Sequence, residues 1–276
     1  LYERLGASLI DDERILSVGS LITALKLGGI GKISRRGFGS LKIDLKNSSY
    51  QHNVKNIFEA VKKIESQSDN INENGIIAKG IKELIRLTYS SARRLLLNKA
   101  SSHKRSLLPQ IPAISKNKDA LSIFLFKSSS LEKVGRSLVR TESNSLVGSL
   151  IGIRYPQQRL RRPLAWILGL PRSVRSTGYF VVVKKDQKEK EDVGRRASPL
   201  IFSQLNDRVW TATFIVSTDY PTKLISKGRR RKPIDIEFDR VSGQINIRSP
   251  INMLDVINII KNWIRNNFRA TEVRIF

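Results

Sequence analysis

The last quarter of the chain, residues 208–276, reads RVWTATFIVSTDYPTKLISKGRRRKPIDIEFDRVSGQINIRSPINMLDVINIIKNWIRNNFRATEVRIF. Its first segment, Val209–Val216, is dense in β-branched and aromatic residues, which is typical of a strand buried on at least one face. From Ile234 to Asp239 apolar residues alternate with acidic ones, which predicts a half-buried strand with an acidic outer face. Ser242-Gly243 then predicts a turn that returns the chain through a second alternating segment.

An amphipathic helix is predicted from Pro250 to Arg269, with the Ser249 hydroxyl as its N-cap. Its apolar residues recur at steps of three and four, while Asn, Lys and Arg occupy the opposite side. The apolar stripe consists of Ile251, Leu254, Ile257, Ile260, Ile264 and Phe268. Thr271–Phe276 is expected to form one more strand of the same sheet. The quarter as a whole therefore predicts an antiparallel sheet with a helix on one face.

The first half of the chain predicts a mixed, helix-rich region. Apolar spacing indicates one helix around Val54–Ile64 and a longer one over Ile76–Lys99. Arg14–Leu27 is apolar enough for a strand, and the run Ala120–Phe126 fits either a helix or a strand. Asp11-Asp12-Glu13 predicts a helix start or a surface turn.

The fold class expected from these patterns is α+β, divided into two regions. Residues 1–150 form the mixed helix-rich region, and residues 151–276 form a basic antiparallel sheet with the C-terminal helix. A chain of 276 residues is long enough to bury a sizeable core, either as one large domain or as two ordinary ones.

The charge of the chain is strongly unbalanced. Lys and Arg number 50 against 24 Asp and Glu, which gives a formal net charge of +26 and an isoelectric point near 10.7. Repulsion on this scale opposes a compact fold unless a polyanionic partner neutralises it. Nucleic acid is the first partner to expect, and an anionic membrane surface is the second.

Composition excludes several kinds of chemistry. The chain has no cysteine, so it forms no disulfide, carries no thiol nucleophile and offers no thiolate to a metal. With only two histidines, a histidine-based zinc site is not expected either. No cofactor is predicted, and no apolar run reaches the length of a transmembrane segment.

The start of the chain gives no indication of the compartment in which the protein acts. It opens at Leu1 rather than at Met, so a trimmed or processed start is expected, and no signal-peptide pattern is present. The compartment stays open, and the composition is compatible with a virion, a ribosome or another intracellular ribonucleoprotein.

Three groups of cations are the candidate nucleic-acid-binding residues. The first group contains only arginine and no acid interrupts it, which suits bidentate phosphate contacts. It consists of Arg154, Arg159, Arg161, Arg162, Arg172 and Arg175. The second group, Arg229, Arg230, Arg231 and Lys232, ends a predicted basic loop that begins at Thr222. The third group occupies one arc of the longer N-terminal helix, and its members are Lys79, Lys82, Arg86 and Arg93.

Trp166 lies among these arginines but is flanked by Leu and Ile, so it is interpreted as a core residue rather than a surface for base stacking. The glycines between Gly28 and Lys32 do not have the spacing of a phosphate-binding loop, and a tight turn is predicted there instead.

Only one group of carboxylates suggests catalysis. Asp235, Glu237 and Asp239 are predicted to share one face of a strand, where they have the chemistry to hold Mg²⁺ or to pair with neighbouring cations. Charge pairing is the interpretation favoured here, and no catalytic residue is predicted.

The hypothesis from sequence is a non-enzymatic structural protein that binds nucleic acid, RNA in preference to DNA, within a ribonucleoprotein or a viral nucleocapsid or capsid-type assembly. Other protein subunits of that assembly are its expected partners. Two alternatives stay open: a viral matrix-like or peripheral protein that binds an anionic membrane surface, and a magnesium-dependent nuclease.

Overall fold

A computed structural model describes residues 9–28, 43, 51–96, 108–112, 117–128, 134, 146, 150, 164–169, 172–174, 179–183, 197–228, 231–247 and 249–276. Within these ranges the α-helices are α1 (Asp11–Thr23), α2 (Gln51–Ile64), α3 (Ile76–Leu96) and α4 (Met253–Phe268). The strands are β1 (Leu121–Lys127), β2 (Arg172–Val174), β3 (Tyr179–Val183), β4 (Leu200–Gln204), β5 (Val209–Ile215), β6 (Lys223–Gly228), β7 (Arg231–Phe238), β8 (Gln244–Ile247), β9 (Ser249–Asn252) and β10 (Thr271–Val273). The protein is therefore α+β, as its sequence predicts.

The strands form two antiparallel sheets. A four-stranded sheet has the order β10-β1-β5-β4, and a six-stranded sheet has the order β2-β3-β6-β7-β8-β9. The four-stranded sheet takes β1 from before residue 150 and its other strands from after it, and the division into two domains stays a prediction. The sequence leaves the type of β1 open. In the structure it is a central strand, paired on both sides, and its apolar residues are buried on both faces.

Two hydrophobic clusters define the layers of the molecule. The first joins α1, α2 and α3 to one face of the four-stranded sheet through residues such as Ile81 and Ile123. The second joins the other face of that sheet to α4 and to the inner face of the six-stranded sheet. In this second cluster Phe126 of β1 stacks on Phe268 of α4, with ring centroids 4.5 Å apart. The helix thus links the two sheets, and its amphipathic pattern is confirmed.

The expectation of a strand over Arg14–Leu27 is wrong. The segment begins as α1 and continues as a π-helical turn, Ala24–Gly28. Gly19 and Ile22 are buried three residues apart, which is helical spacing, and the three acids of the first turn interact favourably with the helix dipole. Asp11-Asp12-Glu13 accordingly begins a helix.

The start of the C-terminal helix also differs from the prediction. Ser249 and Pro250 belong to β9, and α4 begins at Met253 with Asn252 as its N-cap; the Asn252 side chain accepts a hydrogen bond from the Leu254 backbone N–H at 2.8 Å. Proline is tolerated in β9 because β9 is an edge strand. Ile251 therefore packs from a strand rather than from the helix.

Two further details of this region are corrected. Lys261 lies on the predicted polar side of α4 but is buried, because its ammonium donates to the backbone carbonyl of Lys118 at 2.8 Å. The last strand, β10, pairs with β1 and not with the strands that precede α4. β5 likewise belongs to the four-stranded sheet, so the single sheet predicted for this quarter is two sheets.

The predicted basic loop is mostly strand. β6 extends from Lys223 to Gly228 and β7 begins at Arg231, with Leu224 and Ser226 buried. The register between the two strands shifts between Ser226 and Gly228, and Pro233 lies at this irregularity. A proline has no backbone N–H to donate, so a bulge is the position where a strand accepts it.

Candidate nucleic-acid interface

Four strand ends lie side by side at one end of the six-stranded sheet. Val174 of β2 pairs with Tyr179 of β3, and the adjacent Phe180 pairs with Lys227 of β6. Gly228 of β6 in turn pairs with Arg231 of β7. With about 4.8 Å between neighbouring strands, this row is about 14 Å across.

Two cations of the second predicted group and one of the first belong to strands at this end. In all, four cations at this end of the sheet belong to the described strands, namely Arg172, Lys227, Arg231 and Lys232. Arg175, Arg229 and Arg230 follow the strand ends directly in sequence and lie outside the described residues. No acid occurs in β2, β3 or β6. We call this region the cationic end of the sheet.

Acidic residues occupy the other end of the same sheet. Along β7, Asp235 is opposite Ile225, and Glu237 is opposite Lys223 on one side and Asn246 on the other. At about 3.4 Å per residue, Glu237 is about 20 Å along the strand from Arg231. Apart from Lys223, the cations of the described strands are therefore separated from these two acids along the strands.

The three carboxylates considered for Mg²⁺ do not share one strand face. Asp235 and Glu237 are exposed on β7, but Asp239 follows the strand and belongs to the turn before β8. The Ser242 hydroxyl and the Val241 backbone N–H donate to its carboxylate, and these bonds lower its pKa below the ordinary value. Gly243, with φ of 71°, completes the turn. Within the described ranges no group of three or more His, Cys, Asp or Glu side chains is placed to hold a metal ion.

The third group of predicted cations lies on α3. Lys79, Arg86 and Arg93 are exposed, and Lys82 is half-buried with its ammonium 3.4 Å from the carboxylate of Glu73. These four side chains occupy the single helix arc that their spacing indicates.

The remaining sequence predictions for this interface concern the first arginine group and Trp166. Most of the first group, namely Arg154, Arg159, Arg161, Arg162 and Arg175, lies outside the described residues. Trp166 is confirmed as a core residue: it is fully buried, and its ring lies 5.1 Å from that of Tyr220.

Sequence reasoning missed the aromatic pair beside the α3 cations. Tyr89 and Phe276 contact edge to face, with ring centroids 5.0 Å apart. The sequence does predict Tyr89 at the edge of this arc, because it lies three residues after Arg86 and four before Arg93. The contact with Phe276 joins positions far apart in the chain, and no local pattern reports it.

The described residues contain 23 Lys and Arg and 16 Asp and Glu, compared with 50 and 24 in the whole chain. The described residues therefore carry a net charge of +7 out of +26, and most of the excess positive charge belongs to the rest of the sequence. In the same described ranges, none of the helices has the length and apolar character needed to cross a membrane.

No protein-family model, no curated protein and no solved structure matches this chain. The functional assignment therefore depends on the residues, contacts and charges of the molecule itself.

Proposed function

We propose that this chain is a non-enzymatic structural protein that binds nucleic acid, RNA in preference to DNA, as a subunit of a ribonucleoprotein or a viral nucleocapsid or capsid-type assembly. The observation that carries the proposal is the cationic end of the six-stranded sheet. There the strand registers gather Arg172, Lys227, Arg231 and Lys232 in one small region, and the acids of the sheet lie toward its other end.

Like charges gathered in this way repel one another unless a polyanion neutralises them. A polynucleotide supplies phosphates at regular intervals, and each phosphate contact releases condensed counterions, so affinity falls steeply with salt. Contacts of this kind carry little sequence information. We therefore expect tight, salt-sensitive and weakly sequence-selective binding.

The distribution of cations supports RNA over duplex DNA. The clustered cations belong to strand ends rather than to one recognition helix. On α3, the Arg86 guanidinium is held against the backbone carbonyl of Ile275. Proteins that follow a single-stranded or irregular backbone place cations on strands and loops in this way.

The test is a salt titration of binding to a single-stranded RNA, measured by fluorescence anisotropy. The variant Arg229→Gln/Arg230→Gln/Arg231→Gln/Lys232→Gln neutralises the second group of predicted cations, two of which belong to the cationic end of the sheet. We expect the slope of log K against log salt to become shallower by roughly 0.7 per lost phosphate contact, or about 3 for four contacts. Duplex DNA of equal length is expected to bind less tightly than the RNA.

The matched control neutralises four exposed cations elsewhere, in Lys55→Gln/Lys62→Gln/Arg208→Gln/Arg269→Gln. This control changes the net charge equally, so an equal loss of slope would overturn the assignment of the sheet end. Retention of the wild-type protein on anionic vesicles, with no binding to RNA, would overturn the proposed function and favour a membrane-surface protein.

A further inference from the structure

A stripe of polar and aromatic side chains follows α3. Lys82, Arg86, Tyr89 and Arg93 are spaced by four, three and four residues, so they lie one above another on a single side of the helix. At 1.5 Å per residue the stripe is about 17 Å long. Lys79 extends it by one turn, and Tyr89 interrupts the cations near the middle.

The C-terminal residues place a second aromatic ring beside this stripe. Arg86 donates through Nε to the backbone carbonyl of Ile275 at 2.6 Å, and Ile275 itself is buried in the cluster beneath the helices. Phe276 then meets Tyr89 edge to face. Two contacts thus hold the Phe276 ring at the surface, where 44% of the residue remains exposed.

The acids near the stripe are already engaged. Glu73 pairs with Lys82, and Glu83 pairs with Lys63. Between described residues, no ion pair involves Lys79, Arg86 or Arg93, and all three side chains are exposed. The positive charge on both sides of the aromatic pair is therefore free to meet an external anion.

We infer that α3 and Phe276 form a stacking platform for single-stranded nucleic acid. The exposed part of Phe276, beside Tyr89, takes an unpaired base, and the flanking cations Lys79, Arg86 and Arg93 contact the phosphates on either side of it. This inference rests on the proposed function and deepens it, because it makes the single-stranded form of the polymer the ligand of this face.

Each component fits that ligand physically. Every base has a π-face, so an aromatic platform accepts bases with little regard to sequence, at a gain of about 1–3 kcal/mol per stacked base. A duplex keeps its bases paired and stacked inside, so it offers phosphates to the cations but no base to Phe276. The two forms of nucleic acid therefore differ in what they gain from the aromatic pair.

The experiment compares Phe276→Leu with Phe276→Tyr in the full chain. Leucine keeps an apolar contact with Tyr89 but has no aromatic face, whereas tyrosine keeps the ring. We expect Phe276→Leu to weaken binding to a short single-stranded RNA by about 5- to 100-fold, with Phe276→Tyr close to wild type. Binding to duplex RNA of the same length is expected to change by less than about twofold for both variants.

Salt dependence separates stacking from charge. Because stacking releases no counterions, the salt slope of Phe276→Leu should equal that of the wild type, while Arg93→Gln should make the slope shallower by about 0.7. Equal weakening of single-stranded and duplex binding by Phe276→Leu would overturn the platform, as would an unchanged affinity for the single strand.

Failure of this inference is distinguishable from failure of the proposed function. If the wild type binds RNA and neutralisation of the cationic end of the sheet lowers the salt slope, but Phe276→Leu binds single strands as the wild type does, only the platform is overturned. If the wild type binds no polynucleotide, both proposals fail. Both proposals also fail if anionic vesicles capture the wild-type protein and RNA does not bind to it.

Discussion

Two regions of the molecule arrange their charged residues differently. One is the helical layer that packs on the four-stranded sheet, and the other is the six-stranded sheet. In the helical layer several cations have carboxylate partners within the chain, as in Lys26 with Glu65 and Lys63 with Glu83. The exposed cations of the third predicted group, on α3, have no such partner among the described residues. In the described strands of the six-stranded sheet, most cations lie at one end and Asp235 and Glu237 lie toward the other, where Lys223 is opposite Glu237. The first arrangement contributes to folding, and we propose that the second serves to bind a ligand. Removing charges from the two regions should therefore affect different properties.

The pair formed by Lys26 and Glu65 shows how far the helical layer depends on internal pairing. Lys26 lies in the π-helical turn and only 2% of it is exposed, so its ammonium has little access to water. Glu65 accepts from this ammonium and also from the backbone N–H of Ile43 at 2.7 Å. A buried charge that loses its partner destabilises a fold strongly, because it is neither hydrated nor neutralised.

The largest effect on stability is expected from Glu65→Gln. The substitution keeps the shape of the side chain but removes the carboxylate charge that the buried Lys26 ammonium contacts. We expect the free energy of unfolding to fall by about 3 kcal/mol, measured by urea denaturation followed by circular dichroism. The double variant Lys26→Met/Glu65→Gln should recover much of that loss, because no buried charge remains.

The matched variant in the other region is Arg231→Gln/Lys232→Gln. If the cationic end of the sheet contributes to binding rather than to folding, its free energy of unfolding should stay within about 0.5 kcal/mol of the wild type. A loss as large as that of Glu65→Gln would show that both regions use their charges for stability, and the comparison would not hold.

An intermediate effect is expected where α1 crosses α3. A Cβ atom added to Gly19 would lie 2.2 Å from the Thr88 hydroxyl oxygen, which donates to the Leu84 carbonyl inside α3. Gly19→Ala should therefore force the helices apart and cost about 1–3 kcal/mol in the same urea experiment. Thr88→Ala in the Gly19→Ala background removes the closest atoms and should restore part of the stability. If Gly19→Ala is instead stabilising, the two helices are not held at this distance.

The smallest effect concerns Asp12, which links α1 to α3 at the surface. The guanidinium of Arg94 binds its carboxylate with two hydrogen bonds and lowers its pKa below the ordinary 3.8, with a further bond from the Ser91 hydroxyl. A lowered folded-state pKa adds stability above the unfolded value, and this stability is lost as the pH falls through the folded value. Asp12→Asn should therefore lower the melting temperature slightly at neutral pH.

That difference between Asp12→Asn and the wild type should disappear at a pH well below 3.8, where the wild-type carboxyl is also protonated. Melting curves followed by circular dichroism at both pH values provide the measurement. A difference that persists in acid would mean that the side chain acts through its shape and not through its charge.

Elements with a strong local pattern could be predicted from the sequence. The spacing of apolar residues identifies α2 and α3, and alternation identifies β7 with its exposed Asp235 and Glu237. The helical period of α1 and the π-helical turn after it is hard to recognise in the sequence. The half-buried Leu16 and Leu25 make this segment apolar on several sides. Ser249-Pro250 has the composition of a helix start, and only its pairing with β8 shows that it is a strand.

The pairing of distant segments could not be predicted. Nothing in Thr271–Val273 indicates that its partner is β1, so the division of the strands into two sheets has no local signature. The candidate interface likewise has some features that the sequence predicts and others that it does not. The cations of α3 and of the basic segment are visible in sequence, whereas the gathering of strand ends and the contact of Phe276 with Tyr89 require the assembled fold.

The central position of β1 has a consequence for how the chain acquires its structure during synthesis. Its neighbour β5 follows about 80 residues later and its other neighbour β10 about 150 residues later, so at roughly 5–20 residues per second the ribosome completes β1 several seconds before either partner. Through that interval an apolar strand with two unpaired edges is open to association with other nascent chains. The order of translation therefore makes this strand a natural point for chaperone binding.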